Sequence, residues 1–189
     1  LILCFLAFFR PVIAQSVDYK NPQTYFLMVE RELIGAQARM ILVYEAFATS
    51  DTNQMMYANE QLKEQTFKSL VNLRSMPLFQ GEAQLKYTAL EIIELYDSLA
   101  RKDFEEIITI FKKQNFTPEE MTHYYFIFEY VKIQEAMRED GFRVAQISFK
   151  ERHLPDASTA LVFDGMSTFG DEVDDEPEEL EDLSILGDF

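Results

Sequence analysis

Pro22-Gln-Thr-Tyr-Phe-Leu-Met-Val29-Glu-Arg-Glu-Leu33-Ile-Gly-Ala36-Gln-Ala-Arg-Met40-Ile-Leu-Val43-Tyr-Glu-Ala-Phe47-Ala48 is the stretch that decides the fold class. Apolar residues recur at Val29, Leu33, Ala36, Met40, Val43 and Phe47, in steps of four, three, four, three and four. That rhythm places one side chain per turn on a single helix face, an a/d stripe. Ser50-Asp51-Thr52-Asn53 then supplies cap and turn chemistry. A second stripe follows at Met55, Ala58, Leu62, Thr66, Ser69, Leu73 and Met76, until Pro77 stops it. Its seam is thinner, because Thr and Ser occupy two of its positions.

A third helix is expected after Gly81, on Leu85, Ala89, Ile92, Tyr96 and Leu99. The Arg101-Lys102-Asp103 cluster leads into Phe104, Ile107, Ile108 and Phe111, so the pattern predicts one continuous or slightly kinked helix. Asn115-Phe-Thr117-Pro118-Glu-Glu120 is the clearest boundary: Thr117 as N-cap, Pro118 at the first helical position and Glu120 closing a capping box. The fourth helix runs from there to about His153. Gly141 inside it costs about 1 kcal/mol relative to Ala, which points to a close helix contact or a bend. Sustained period-two alternation is missing, and so is the turn vocabulary of β-hairpins. Four segments of roughly 25 to 35 residues, about 40–50 Å each and joined by short links, predict an all-α, up-and-down four-helix bundle over residues 15–155.

The composition agrees with one domain plus extensions. The chain has 189 residues, 48% of them hydrophobic, with six Gly, six Pro, one Cys and no Trp, which excludes collagen-like, disulfide-framework and low-complexity chains. Its formal charge of −16 is unevenly spread: residues 156–189 hold 12 acids and no bases, leaving 21 acids and 17 bases, a net −4, in residues 1–155. No Lys/Arg surplus is available to neutralise phosphates, so nucleic-acid binding is not expected.

Both ends read differently from the body. Leu1-Ile-Leu-Cys-Phe-Leu-Ala-Phe-Phe9 is an apolar run, and Val12-Ile13-Ala14 before Gln15 has the small-residue spacing a signal peptidase accepts. Residues 1–14 are therefore expected to be a signal peptide. The run is interrupted by Arg10 and falls short of the ~20 residues a membrane span needs, so no span is expected in the mature chain. Cys4 lacks the small preceding residue of a lipobox, and cleavage after Ala14 would remove the only thiol. At the other end, Asp171–Asp182 carries nine acids in twelve residues, which repel one another and predict a disordered acidic tail over 156–189. Leu180, Leu183, Ile185, Leu186 and Phe189 give that tail an apolar end suited to folding on a partner.

No constellation argues for catalysis or a cofactor. Glu120-x-x-His123 has the spacing of a di-iron ligand pair but occurs once, and His153 has Lys150 where a second pair needs Glu. C-x-x-C-H, G-x-S-x-G and phosphate-cradling glycine loops are all missing from the sequence. Neither catalytic, cofactor-binding nor metal-binding residues are expected, and the chain is read as a non-enzyme. The run His123-Tyr-Tyr-Phe-Ile-Phe-Glu-Tyr130 is different, because aromatics on all sides of two helical turns cannot share one core-facing stripe. With Phe128 and Val131 inward alongside Tyr124, the residues Tyr125 and Phe126 form a partly exposed aromatic belt. Tyr124, Tyr125, Phe126 and Tyr130 are the candidate partner-binding residues, for an unknown protein or for self-association.

Asp18-Tyr19, the turn Met76-Pro-Leu-Phe79-Gln-Gly81 leading into Leu85-Lys86, and the closing Phe142-Arg-Val-Ala-Gln146-Ile-Ser-Phe149 resemble a family of uncharacterised exported bacterial surface proteins built as small helical bundles. The likeness covers about residues 18–153. It implies an all-α fold and a periplasmic, cell-surface or extracellular location, and it implies no site residue; the acidic tail departs from the family's pattern. The expectation is an exported, non-enzymatic helical bundle serving as an envelope interaction or structural component. A bundle that binds a small ligand or a metal is the alternative.

Overall fold

Three of the five helices begin on a side-chain cap. The structure, a computed structural model, describes residues 18–113 and 115–155; the expected signal segment and acidic tail lie outside the described residues. Helix α1 (Pro22–Thr49) starts on Asn21, whose side chain accepts the Thr24 N–H at 2.9 Å, and ends at Ser50 in the left-handed conformation. Asp51 immediately caps α2 (Thr52–Ser75) by accepting from the N–H groups of Asn53 and Gln54. A link of two residues leaves α1 and α2 no arrangement but an antiparallel hairpin.

Helix α2 stops at Met76, held extended by the proline behind it. Phe79 and Glu82 then form an isolated antiparallel bridge around Gln80 and Gly81, both at positive φ (49° and 86°). This tight reversal is the one piece of hairpin-like geometry among the described residues, at a place where the sequence carries only a single glycine. Lys86, buried one turn into α3 (Gln84–Arg101), donates to the carbonyls of Met76 at 2.5 Å and Arg74 at 3.3 Å. An ammonium thereby satisfies the carbonyl end of α2, where the helix dipole is negative. Burial pushes the Lys86 pKa down.

Helix α3 passes into α4 (Asp103–Lys112) through the single residue Lys102. Backbone bonds bridge the junction, Lys102 N–H to Ser98 at 3.1 Å and Glu106 N–H to Lys102 at 3.0 Å, so the two are one kinked rod, as expected. The kink has an identifiable cause. Asn59 of α2, fully buried, donates its amide to the Ala100 carbonyl at 2.9 Å, taking up an acceptor next to the bend. The capping box at Thr117 and Glu120 is present, and α5 (Pro118–His153) runs for 36 residues, about 54 Å.

The four rods form the all-α bundle. Helices α1 and α3 make a central pair, with α2 packed on one side and α5 on the other. Every position of the α1 and α2 stripes is buried, as are Leu85, Ala89, Ile92, Tyr96 and Leu99 of α3 and Phe104, Ile107 and Ile108 of α4. The polar positions in the thin seam of α2 are hydrogen-bonded: Thr66 donates to Asp97 at 2.8 Å and Ser69 to Glu32 at 3.0 Å. Gly141 needs correction. Nothing beyond its own helical turn lies within 4 Å of where its Cβ would sit, so it marks no helix contact within the bundle, and α5 continues through it. The glycine at a close approach is Gly35 of α1, whose missing Cβ would meet the Gln65 side chain of α2 at 2.8 Å.

Candidate functional site

Helix α5 carries apolar side chains on two faces. Its inner face buries Ile127, Val131, Phe142, Ala145 and Phe149. Phe149 lies among the rings of Tyr25, Phe26, Phe79 and His153, with centroids 4.9–5.9 Å away. At the other end Phe128, half-buried, packs on Phe47, Phe104 and Tyr124 at 4.8–6.3 Å. Between these aromatic ends the contact to α1 is polar. Tyr44 donates to Glu135 at 2.6 Å, Gln37 to Glu139 at 3.0 Å, and Gln146 to Glu30 at 2.8 Å. Burial pushes the Glu135 carboxyl above its ordinary range despite hydrogen bonds from Tyr44 and Tyr96, which lower it. Both tyrosine hydroxyls are pushed upward, by burial first and then by the Glu135 charge.

The outer face has no neighbour among the described residues. Phe126, Tyr130, Ile133, Met137, Val144 and Ile147 are each between 45% and 67% exposed, although all six are large and apolar. Their steps are four, three, four, seven and three. At 3.6 residues per turn they fall within about 100° of arc, centred roughly 130° from the inner face. The stripe extends about 32 Å along the helix. Single exposed apolar residues are ordinary, but six in a helical row are the pattern of an unpartnered seam. Glu129–Lys132 and Asp140–Arg143 flank it as exposed i,i+3 ion pairs, at 2.9 and 2.5 Å.

The four candidate aromatics divide between these faces. Phe126 and Tyr130 begin the outer stripe. Tyr125 is exposed but lies to one side, its ring edge-on to Tyr124 at 5.3 Å. Tyr124 departs from the set: it is half-buried, 5.6 Å from Phe111 and 4.8 Å from Phe128, and belongs to the inner packing. The aromatic run thus opens a longer surface whose larger part, Ile133, Met137, Val144 and Ile147, is aliphatic. Continuing the four-three count beyond Tyr130 finds it; counting aromatics does not.

The Glu120-x-x-His123 spacing leads elsewhere. Glu120 accepts the Thr117 N–H at 3.0 Å and binds Lys113 at 2.7 Å, while His123 lies 3.2 Å from Glu106 across an open groove between α4 and α5. Lys113 and the Thr117 N–H hold the Glu120 carboxyl below its ordinary range. Among the described residues no group of three or more His, Cys, Asp or Glu side chains is placed to hold a metal ion. No described helix is long and apolar enough to cross a membrane. No family model, no curated protein and no solved structure matches the chain.

Proposed function

We propose that this is an exported, non-enzymatic helical-bundle protein that acts by binding a macromolecular partner through the outer face of α5. The observation that carries the reading is the second apolar stripe, Phe126 to Ile147, on a helix whose inner face is already fully engaged. Leaving six large apolar side chains in water is unfavourable at roughly 25 cal/mol per Å². A partner surface gives that pattern a use. Export rests on the sequence of residues 1–15 and on the resemblance to exported surface bundles. The non-enzymatic reading is supported by the occupation of the ionisable groups in the helix interfaces: buried Glu32 and Lys86 and half-buried Asp97 and Glu135 all serve helix–helix contacts.

A photoreactive residue placed at Met137, with the same residue at exposed Glu91 of α3 as control, tests the surface in the native host. Adducts specific to position 137 are expected. Equal or no adducts from the two positions would refute the reading.

A further inference from the structure

The charges beside the stripe say which partner fits. Measured from the middle of the stripe, near Met137, the sequence is a palindrome in chemical character. Tyr130 and Val144 lie equally far out on either side, and Phe126 and Ile147 do so to within one residue. Between Phe126 and Ile147 the charges invert: Glu129 mirrors Arg143, and Lys132 mirrors Asp140. All four mirrored pairs centre within one residue of position 137. One further pair, Ile133 and Gly141, sets a branched side chain opposite a residue with none, and the Gly141 Cβ position is open.

We infer that the partner is a second copy of this chain, packed α5 against α5 antiparallel about a two-fold axis at Met137. This inference rests on the outer face of α5 being the interaction surface. In that arrangement Phe126 and Tyr130 of one copy meet Ile147 and Val144 of the other, and Met137 meets its twin. Glu129 approaches Arg143 of the other copy and Lys132 approaches Asp140, each twice by symmetry. The two exposed intrahelical pairs become two four-membered networks of alternating sign. Parallel packing would instead set each charge at the height of its own twin. A two-fold contact must be self-complementary, because the same patch supplies both sides. This patch meets that condition in the order of its side chains and in the sign of its charges. The glycine that makes no contact within the bundle acquires one between copies.

A contact of about 32 Å between two helices is at the small end of specific interfaces, so association should depend on concentration. Sedimentation velocity of the full chain is expected to show monomer giving way to dimer between about 1 and 100 µM. Met137→Glu places two carboxylates on the axis and should leave the chain monomeric with its helical circular dichroism unchanged. Glu129→Arg and Arg143→Glu should each weaken the dimer about tenfold, since each turns two attractive pairs repulsive. The double variant should restore it, because the antiparallel register exchanges one sign pattern for the other. A chain that stays monomeric at 100 µM, a dimer indifferent to Met137→Glu, or a double exchange as weak as the singles would overturn the inference. The photoreactive residue at Met137 separates this failure from that of the proposed function. Adducts to a different protein, or to residues 180–189 of the same chain, overturn the second copy, and the former leaves the surface itself standing.

Discussion

Replacing Phe149 by Ala hollows the packed end of α5, whereas replacing Phe126 by Ala trims its outer face, so one chemical change on one helix should have two very different costs. Phe149 is 2% exposed and lies against four rings at 4.9–5.9 Å, which fix its surroundings too firmly to collapse into the space vacated. Truncating a buried Phe costs about 3–5 kcal/mol, from lost transfer energy and the cavity left behind. Phe126 is 66% exposed and surrenders little of either, so its cost should stay below about 1 kcal/mol. For a domain of this size 1 kcal/mol moves the melting temperature by about 3–5 °C. Phe149→Ala should therefore melt about 10–20 °C lower, and Phe126→Ala within about 5 °C of the parent, in circular dichroism melts at low micromolar chain. Urea titrations with unchanged slope confirm that stability, rather than compactness, has changed. Two variants within about 1 kcal/mol of each other would refute the assignment of inner and outer faces.

Glycine and charge give sharper contrasts. Gly141→Ala should stabilise the monomer by about 0.5–1 kcal/mol, since the helix gains a better former and nothing obstructs the Cβ. Gly81→Ala should cost about 1 kcal/mol although space is equally free, because φ of 86° is unfavourable for an L side chain; paired melts read the opposite signs. Thr117→Ala should cost about 1 kcal/mol through loss of the cap, read by the same melts. Glu135→Gln should raise stability at pH 7 and lose its advantage in acid. The folded carboxyl has a raised pKa, so its burial stabilises the protonated form below the unfolded value, and that contribution disappears as pH rises through the folded value. Denaturation at pH 4 and pH 7 checks it, and a Gln variant equally stabilised at both would disprove the stated cause.

The bundle was legible because its signal is periodic and local. The stripes of α1 and α3 alternate steps of four and three, those of α2 and α4 stay on one face with less regular steps, and boundaries are marked by Asp51, Pro77 and Thr117, whose side chains or missing N–H act within one turn. The rest depends on contacts distant in sequence. The cause of the kink at Lys102, the Asn59 amide on Ala100, crosses 41 residues. Gly141 and Gly35 look alike in a helical pattern, and only the position of α2 separates them. The aromatic run at 124–130 is too wide for one stripe, yet its four candidates are not a single surface. A second apolar period, Met137, Val144 and Ile147, lies out of phase with the buried Phe142, Ala145 and Phe149, and superposed periods on one helix obscure each other.

Two apolar faces on one helix raise the question of what keeps the right one inward. Hydrophobicity alone discriminates poorly, since a rotation of about 130° would bury Phe126, Ile133 and Met137 in exchange for Ile127, Val131 and Phe142. The polar contacts to α1 decide it. Glu135 on Tyr44, Glu139 on Gln37 and Gln146 on Glu30 are three hydrogen bonds spaced along the helix, each fixing the same rotation. Turning α5 would strand the Tyr96 and Tyr44 hydroxyls and drive Glu129 and Asp140 toward the core, where an unpaired charge is severely unfavourable. Burying Glu135 therefore specifies orientation at some expense of stability, which is the relation the Glu135→Gln variant measures. The same three bonds that hold the inner face in place keep the outer stripe turned toward solvent, so the polar seam and the candidate interaction surface are two consequences of one rotational choice.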